Sequence, residues 1–288
     1  GRLLDLIERG SVMPMDVSIL VIDEADRMLD MGFIPDIETI VGRLPARRQT
    51  LMFSATMAPP IRKLADKFLK NPKEVEVARA SSTASTVEAF LVKSGDREKH
   101  TTLRALVQAE KPSSSIVFCN RKRDIADVVD TLRKAGLAAA PMHGDLSQPK
   151  RMETLEAFRT LDTNILVCSD VAARGIDIDH VTHVFNFDVP FNAEDYVHRI
   201  GRTGRAGRKG KAFMLATPKD QKLVDAIVDL TKKKIKEYDV GKVQKDQEDA
   251  ALQATIDDAK ARGVDLKTIK AAQKCFERHI PAFILRAA

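Results

Sequence analysis

Val17-Ser18-Ile19-Leu20-Val21-Ile22 is an apolar run that ends at Asp23-Glu24-Ala25-Asp26. A short β-branched run that stops at carboxylates reads as a buried strand delivering acidic side chains to a sheet edge. The same pattern recurs outward from it. Residues 50–53 run into Ser54-Ala55-Thr56, and residues 115–119 into Asn120-Arg121-Lys122-Arg123. Residues 165–168 run into Ser169-Asp170, and residues 181–187 into Asp188. Between these runs lie stretches of helical period, at 37–44, 61–69, 103–107, 125–132 and 152–158. Apolar strands alternating with amphipathic helices predict an α/β fold with a parallel sheet covered on both faces. In such sheets ligands bind beyond the carboxyl ends of the strands, where the polar clusters of this chain fall.

The 288 residues, 44% hydrophobic and 31% charged, give room for two domains and exclude a disordered or collagen-like chain. No apolar run approaches the roughly 18 residues that cross a bilayer, so no membrane partner is expected. Three cysteines are too few for a disulfide framework and fit a reducing, cytoplasmic setting; Cys119 and Cys168 fall at strand ends and read as core residues. His100, His180, His183 and His279 show no metal-ligand spacing, and His143 lies beside a Gly144-Asp145 turn. The net charge of +6 leans toward a polyanionic partner, and +4 of it lies in residues 232–288. With no Trp and two Tyr, a nucleic-acid binder of this composition grips the backbone rather than stacking bases.

Asp23 at a strand end is placed to hold Mg²⁺, directly or through water, and Glu24 to orient or deprotonate an attacking water. The bland alternative is a helix N-terminus whose carboxylates complement the dipole. Arg199, Arg202 and Arg205 recur every third residue after His198. If the segment is helical they share a face, and guanidinium forks on one face suit a chain of phosphates. The bland alternative there is a basic surface patch.

Taken together the motifs resemble those of the DEAD-box ATP-dependent RNA helicases of superfamily 2. Residues 21–33 match that family's second motif with its flank, and Ser54-Ala55-Thr56 the third. Residues 116–120 match the fourth, Gln148 and Arg151 the QxxR element, residues 169–177 the fifth, and residues 198–205 the sixth. The motifs stand in the family's order over residues 1–230, and the flanking wording is similar to the bacterial RhlE-like subgroup. The resemblance implies ATP and Mg²⁺ as cofactors and RNA as a partner held by its backbone, indifferent to sequence. It implies catalytic roles for Asp23, Glu24, Arg202 and Arg205, the two arginines acting as arginine fingers on the γ-phosphate. Asp26, Ser54, Thr56, Gly175, Asp177 and His198 are implied in ATP binding or interdomain coupling. Arg2, Phe118, Asn120, Arg121, Gly144, Asp145, Gln148, Arg151 and Ser169 are implied in RNA binding.

The phosphate-loop pattern G-x-x-x-x-G-K-[ST] is absent. Gly210-Lys211 and Gly241-Lys242 lack both the earlier glycine and the following hydroxyl. In the family that loop lies N-terminal to the acidic tetrapeptide, which here begins at Asp23, and the first residue is Gly1. The expectation is therefore of tandem RecA-like domains, the first incomplete. Residues 1–78 would be the C-terminal half of domain 1, 79–93 a linker, 94–231 a complete domain 2 and 232–288 a basic, partly helical extension. The parent protein would be an RNA-stimulated ATPase and helicase whose cleft closes on ATP and RNA, with this stretch inactive alone. Two other readings stand beside it: a non-enzymatic RNA-binding module, and a DNA translocase on the same fold. The sequence leaves protein partners unassigned.

Overall fold

The computed structural model describes residues 1–30, 32–54, 57, 59–76, 86–173, 178 and 180–261. The chain divides into two units, Gly1–Ala78 and Arg79–Ala288.

The first unit opens with α1 (Arg2–Glu8) and β1 (Ile19–Ile22), then α2 (Ala25–Asp30) and α3 (Ile34–Gly42). β2 (Gln49–Met52) and α4 (Pro59–Phe68) complete it. β1 and β2 pair in parallel, with Ile19 opposite Gln49 and Ile22 opposite Met52. Two prolines start α4, where missing amide donors cost nothing. Ile22, Ala25, Ile37, Leu64 and Phe68 form a small core. Ile19 and Val21, which alternate with Leu20 and Ile22 along β1, are exposed, as is Phe53 just past β2.

The second unit is built on one parallel sheet. Its strands are β3 (Val87–Lys93), β4 (Ser115–Phe118), β5 (Ala139–Met142), β6 (Ile165–Cys168), β7 (His183–Asn186), β8 (Gly210–Ala216) and β9 (Lys236–Glu237). The order is β5-β6-β4-β7-β8-β3-β9, and every pairing is parallel. The helices between them are α5 (Lys99–Glu110), α6 (Lys122–Lys134), α7 (Gln148–Arg159), α8 (Asp170–Ala173), α9 (Ala193–Ile200), α10 (Gln221–Thr231) and α11 (Val240–Ala261).

Alternation along the strands gives the sheet two buried faces. Ile116, Phe118, Leu166, Cys168, Val184 and Met214 pack with Phe158, Tyr196, Ile200, Val224 and Ile227 on one side. Val117, Cys119, Val167, Phe185 and Phe213 pack with Leu103, Leu106, Ile125, Val128 and Leu132 on the other. β4 and β6 are buried at every residue, which is why they read as apolar runs, broken only by Ser115 at the start of β4. Cys119 and Cys168 are both fully buried but belong to opposite faces, and burial pushes both thiols up in pKa.

Three features lie outside the sequence expectation. The stretch 79–93 is not a linker throughout: Val87–Lys93 is a full strand, paired with β8 along its whole length. Its Ser/Thr-rich lead-in masks an apolar strand that follows at once. β5 carries Pro141 and sits at the sheet edge, the position that tolerates a missing donor. The segment 232–288 is not all appended surface, since β9 pairs with β3 and Val240 is buried in the core.

Candidate functional site

Within the first unit the acidic tetrapeptide lies at the carboxyl end of β1. Phe53 N donates to Ile22 O at 2.8 Å and Ala25 N donates to Phe53 O at 3.0 Å, so the ends of β1 and β2 are tied together. Asp23 is exposed, and its Oδ1 accepts from Glu24 N at 2.9 Å. Glu24 has φ +50, a left-handed backbone that a residue with a Cβ adopts at a cost of about 1–3 kcal/mol. That turn bends the chain from strand into α2 and leaves Asp23 and Glu24 side by side at the edge. Asp26 is buried in the first turn of α2, and its carboxylate accepts from Arg27 N at 3.0 Å. Ser54, half-buried, follows directly on the neighbouring strand end.

Among the described residues no cluster of three or more His, Cys, Asp or Glu could cage an ion. The exposed Asp23 carboxylate instead fits a hard cation that keeps most of its waters and takes its other oxygens from phosphate, as Mg²⁺ does.

In the second unit α9 starts at the N-cap Asn192, whose side chain accepts from Glu194 N at 3.2 Å. Glu194 and Asp195 in its first turn and His198 and Arg199 in its last complement the dipole. The helix ends at Ile200, so the three arginines do not share a helical face. Arg202 and Arg205 stand in the turns beyond it, half-buried, with Arg205 Nε donating to Gly201 O at 2.8 Å. That turn is fixed from below. Thr203 Oγ1 donates to Val181 O at 2.6 Å and Thr86 Oγ1 to Gly204 O at 2.8 Å. Gly204 has φ +71, and a Cβ there would lie 2.5 Å from Val87 Cγ2, so only glycine lets the turn rest on β3.

Arg199 takes a different course, down into the sheet. Its side chain is 1% exposed. Nε and Nη2 donate to the two carboxylate oxygens of Asp170 at 2.7 Å each. Nη2 also donates to Asn120 Oδ1 at 2.7 Å, and Nη1 to Asp188 O at 2.8 Å and Asn186 Oδ1 at 3.4 Å. The guanidinium stacks 5.2 Å from the Phe118 ring centroid. Asp188 in turn accepts from Lys99 Nζ at 2.5 Å and from Asn120 N at 3.0 Å.

The residues expected to hold RNA divide. Asn120 and Arg121 follow β4, Ser169 follows β6, and Gly144, Asp145, Gln148 and Arg151 follow β5. These strands are neighbours, so the seven residues share one carboxyl edge. Lys122 Nζ and Asp145 Oδ1 pair at 2.9 Å across it. Phe118 is corrected: it is 1% exposed and lies in the core beneath Arg199, so its ring has no face to offer RNA. Arg2 lies on α1 of the first unit and pairs with Asp5 at 2.7 Å. Thr56, Gly175 and Asp177 lie outside the described residues, as do Cys275 and His279. His100, His180 and His183 are held by Thr131, Phe158 O and Glu110, in structural roles.

Sequence reasoning missed the network around Arg199. Asp170 and Asp188 were visible as the polar ends of strands, but their common partner was not.

Residues 1–64 match the DEAD/DEAH box helicase family, and residues 98–207 the helicase conserved C-terminal domain. The DEAD-box ATP-dependent RNA helicase CshA of Bacillus licheniformis is 46% identical over 82% of this chain and 48% of its own length. The CshA of Bacillus subtilis is 45% identical over the same shares. The chain thus spans about half the length of the curated relatives it matches. S. cerevisiae Dbp5 bound to RNA and ADP BeF3 superposes with a TM-score of 0.74 at 30% identity, over 83% of this chain and 63% of that one. E. coli DEAD-box protein SrmB, solved with RraA, gives 0.52 at 35% identity, over 55% of this chain and 93% of that one.

Proposed function

Since the chain belongs to the DEAD-box helicase family, we propose that it serves an ATP-dependent RNA helicase that remodels short RNA duplexes or RNA–protein complexes. The observation that carries this reading is the pair Asp23 and Glu24, presented together at the carboxyl end of β1 by a left-handed residue.

In this reading Asp23 holds Mg²⁺, directly or through water, and the metal when bound neutralises phosphate charge. Glu24 orients the attacking water and accepts its proton. Arg202 and Arg205 meet the charge that builds on the transferred phosphoryl group. Their fixed turn means little reorganisation is needed at that moment. Asp26, Ser54, Thr56, Gly175, Asp177 and His198 couple nucleotide to the rest of the machinery. Asn120, Arg121, Gly144, Asp145, Gln148, Arg151 and Ser169 hold RNA by phosphate and 2′-hydroxyl, which fixes position without reading sequence. Arg2 adds a contact from the first unit.

The domains in this reading are residues 1–78 as part of the ATP-binding domain and the second unit as the helicase C-terminal domain. The 288-residue chain, without a phosphate-loop sequence, hydrolyses no ATP by itself. The test is RNA-stimulated ATP hydrolysis by the full-length protein. Hydrolysis that rises on adding single-stranded RNA supports the reading, and a protein whose ATPase ignores RNA overturns it.

A further inference from the structure

Arg199 has five N–H donors, and each is engaged by Asp170, Asn120, Asp188 O or Asn186. With the side chain 1% exposed, neither a donor nor a surface remains for a phosphate. Yet two of its partners lie in the loops that end β4 and β6, where the RNA-facing residues stand. Asn120 is gripped from three directions. Its side-chain oxygen accepts from Arg199, its Nδ2 donates to Val189 O at 2.8 Å, and its amide donates to Asp188 at 3.0 Å. Asp170 follows Ser169 directly and starts α8, so its bidentate pair sets the orientation of the turn that presents Ser169. Three amino acids along from Arg199, the arginine turn begins.

We infer that Arg199 is a positioning residue for RNA binding: it touches no RNA, and holds the Asn120 and Ser169-Asp170 loops in the arrangement that RNA meets. This rests on the RNA reading above and reassigns the first arginine of the sixth motif away from phosphate.

The test is fluorescence anisotropy of a labelled single-stranded RNA oligonucleotide with the 288-residue chain, titrated at several salt concentrations. Arg199→Lys keeps the charge but cannot make the fork. It is expected to weaken binding about tenfold at fixed salt. The slope of log affinity against log salt is expected to stay unchanged, because no counterion is released at a buried guanidinium. Asp170→Asn, which weakens the clamp from the other side, should give the same pair of results. Asn120→Ala added to Arg199→Lys should cost less than the sum of the two single changes, since part of the Arg199 effect runs through Asn120.

Unchanged affinity in both Arg199→Lys and Asp170→Asn overturns the proposal. A slope reduced by about 0.7 also overturns it, since that is the mark of a lost phosphate contact. If both variants fail to fold, shown by loss of native circular dichroism, the residue is structural only and the proposal falls. If the unaltered chain binds no RNA at low salt, the RNA reading itself fails, which is a distinguishable result.

Discussion

Arg199 and Asp170 stand 29 positions apart in sequence and meet as a bidentate pair, 2.7 Å at both hydrogen bonds. One comes from the last turn of α9 and the other from the start of α8, so the pair staples the ends of two segments onto the sheet. A buried guanidinium needs its partners, and the partners left behind need it. Arg199→Met is therefore expected to destabilise the second unit by about 3–5 kcal/mol. Exposed Arg121→Ala should change stability by less than about 0.5 kcal/mol. Urea unfolding of the two variants measures the difference.

Glu110 at the end of α5 supplies a pH dependence. Burial opposes its ionisation, but hydrogen bonds from His183 at 3.3 Å, Lys211 at 2.7 Å and Tyr238 at 2.5 Å outweigh it and hold its pKa at about 2, against an ordinary 4.5. A carboxylate depressed in the folded state contributes stability that is complete above the unfolded pKa and is lost as pH falls through the folded one. The window is therefore from about 4.5 down to about 2, and the loss is about 2–3 kcal/mol. Glu110→Gln should be less stable than the unaltered protein at pH 7 and should show a smaller loss on going to pH 3, followed by denaturant midpoints.

The C-terminal segment is expected to separate into two parts. Tyr238 N donates to Leu91 O at 2.8 Å, and its ring meets Phe90 and Phe213 edge-on at 5.4 and 5.1 Å. Gln244 and Gln247 donate to Ala105 O and Ala109 O of α5. Ending the chain at residue 235 removes all of this and bares the β3 edge, so the melting temperature should fall by about 5–10 °C. Ending it at residue 250 should leave melting within about 2 °C. An RNA-binding role for the basic segment is fairly tested only by the second truncation.

The two units should differ in stability. Among the described residues the first buries six apolar side chains, while the second has two buried layers across a seven-stranded sheet. Amides of β1 and β2 are expected to exchange hydrogen well before those of β4 and β6. Mass spectrometry of exchanged peptides reads this directly, and equal protection would contradict it.

In the full-length protein, Arg205→Ala should lower kcat for RNA-stimulated ATP hydrolysis by about 10³-fold, the usual loss for an arginine finger. RNA affinity without nucleotide should change little, because Arg205 stands outside the carboxyl edge formed by β4, β5 and β6. Steady-state kinetics beside RNA anisotropy separates the two quantities.

The parallel α/β class, the strands β1, β2, β4, β6 and β7, and the family's motifs in order were legible along the chain. They were so because a strand buried on both faces must be continuously apolar, and chemistry at a strand end must follow that run directly. These are local facts, written within ten residues. Strand β3 was hidden by its Ser/Thr-rich lead-in, and the pairing of β9 depended on an edge whose identity only the sheet order reveals. What each polar residue faces was set by contacts that form only on folding. Spacing made Arg199 an equal of Arg202 and Arg205, yet a helix that ends at Ile200 sends the first into the sheet and leaves the other two in the turns beyond. Folding also decided that Phe118 is core and that Glu110 holds its charge well below the usual carboxylate range, because the partners of Glu110 arrive from 73 to 128 positions away. Hydrophobic burial is announced by a run of like residues; the pairing of a buried charge is announced by nothing until the chain has folded.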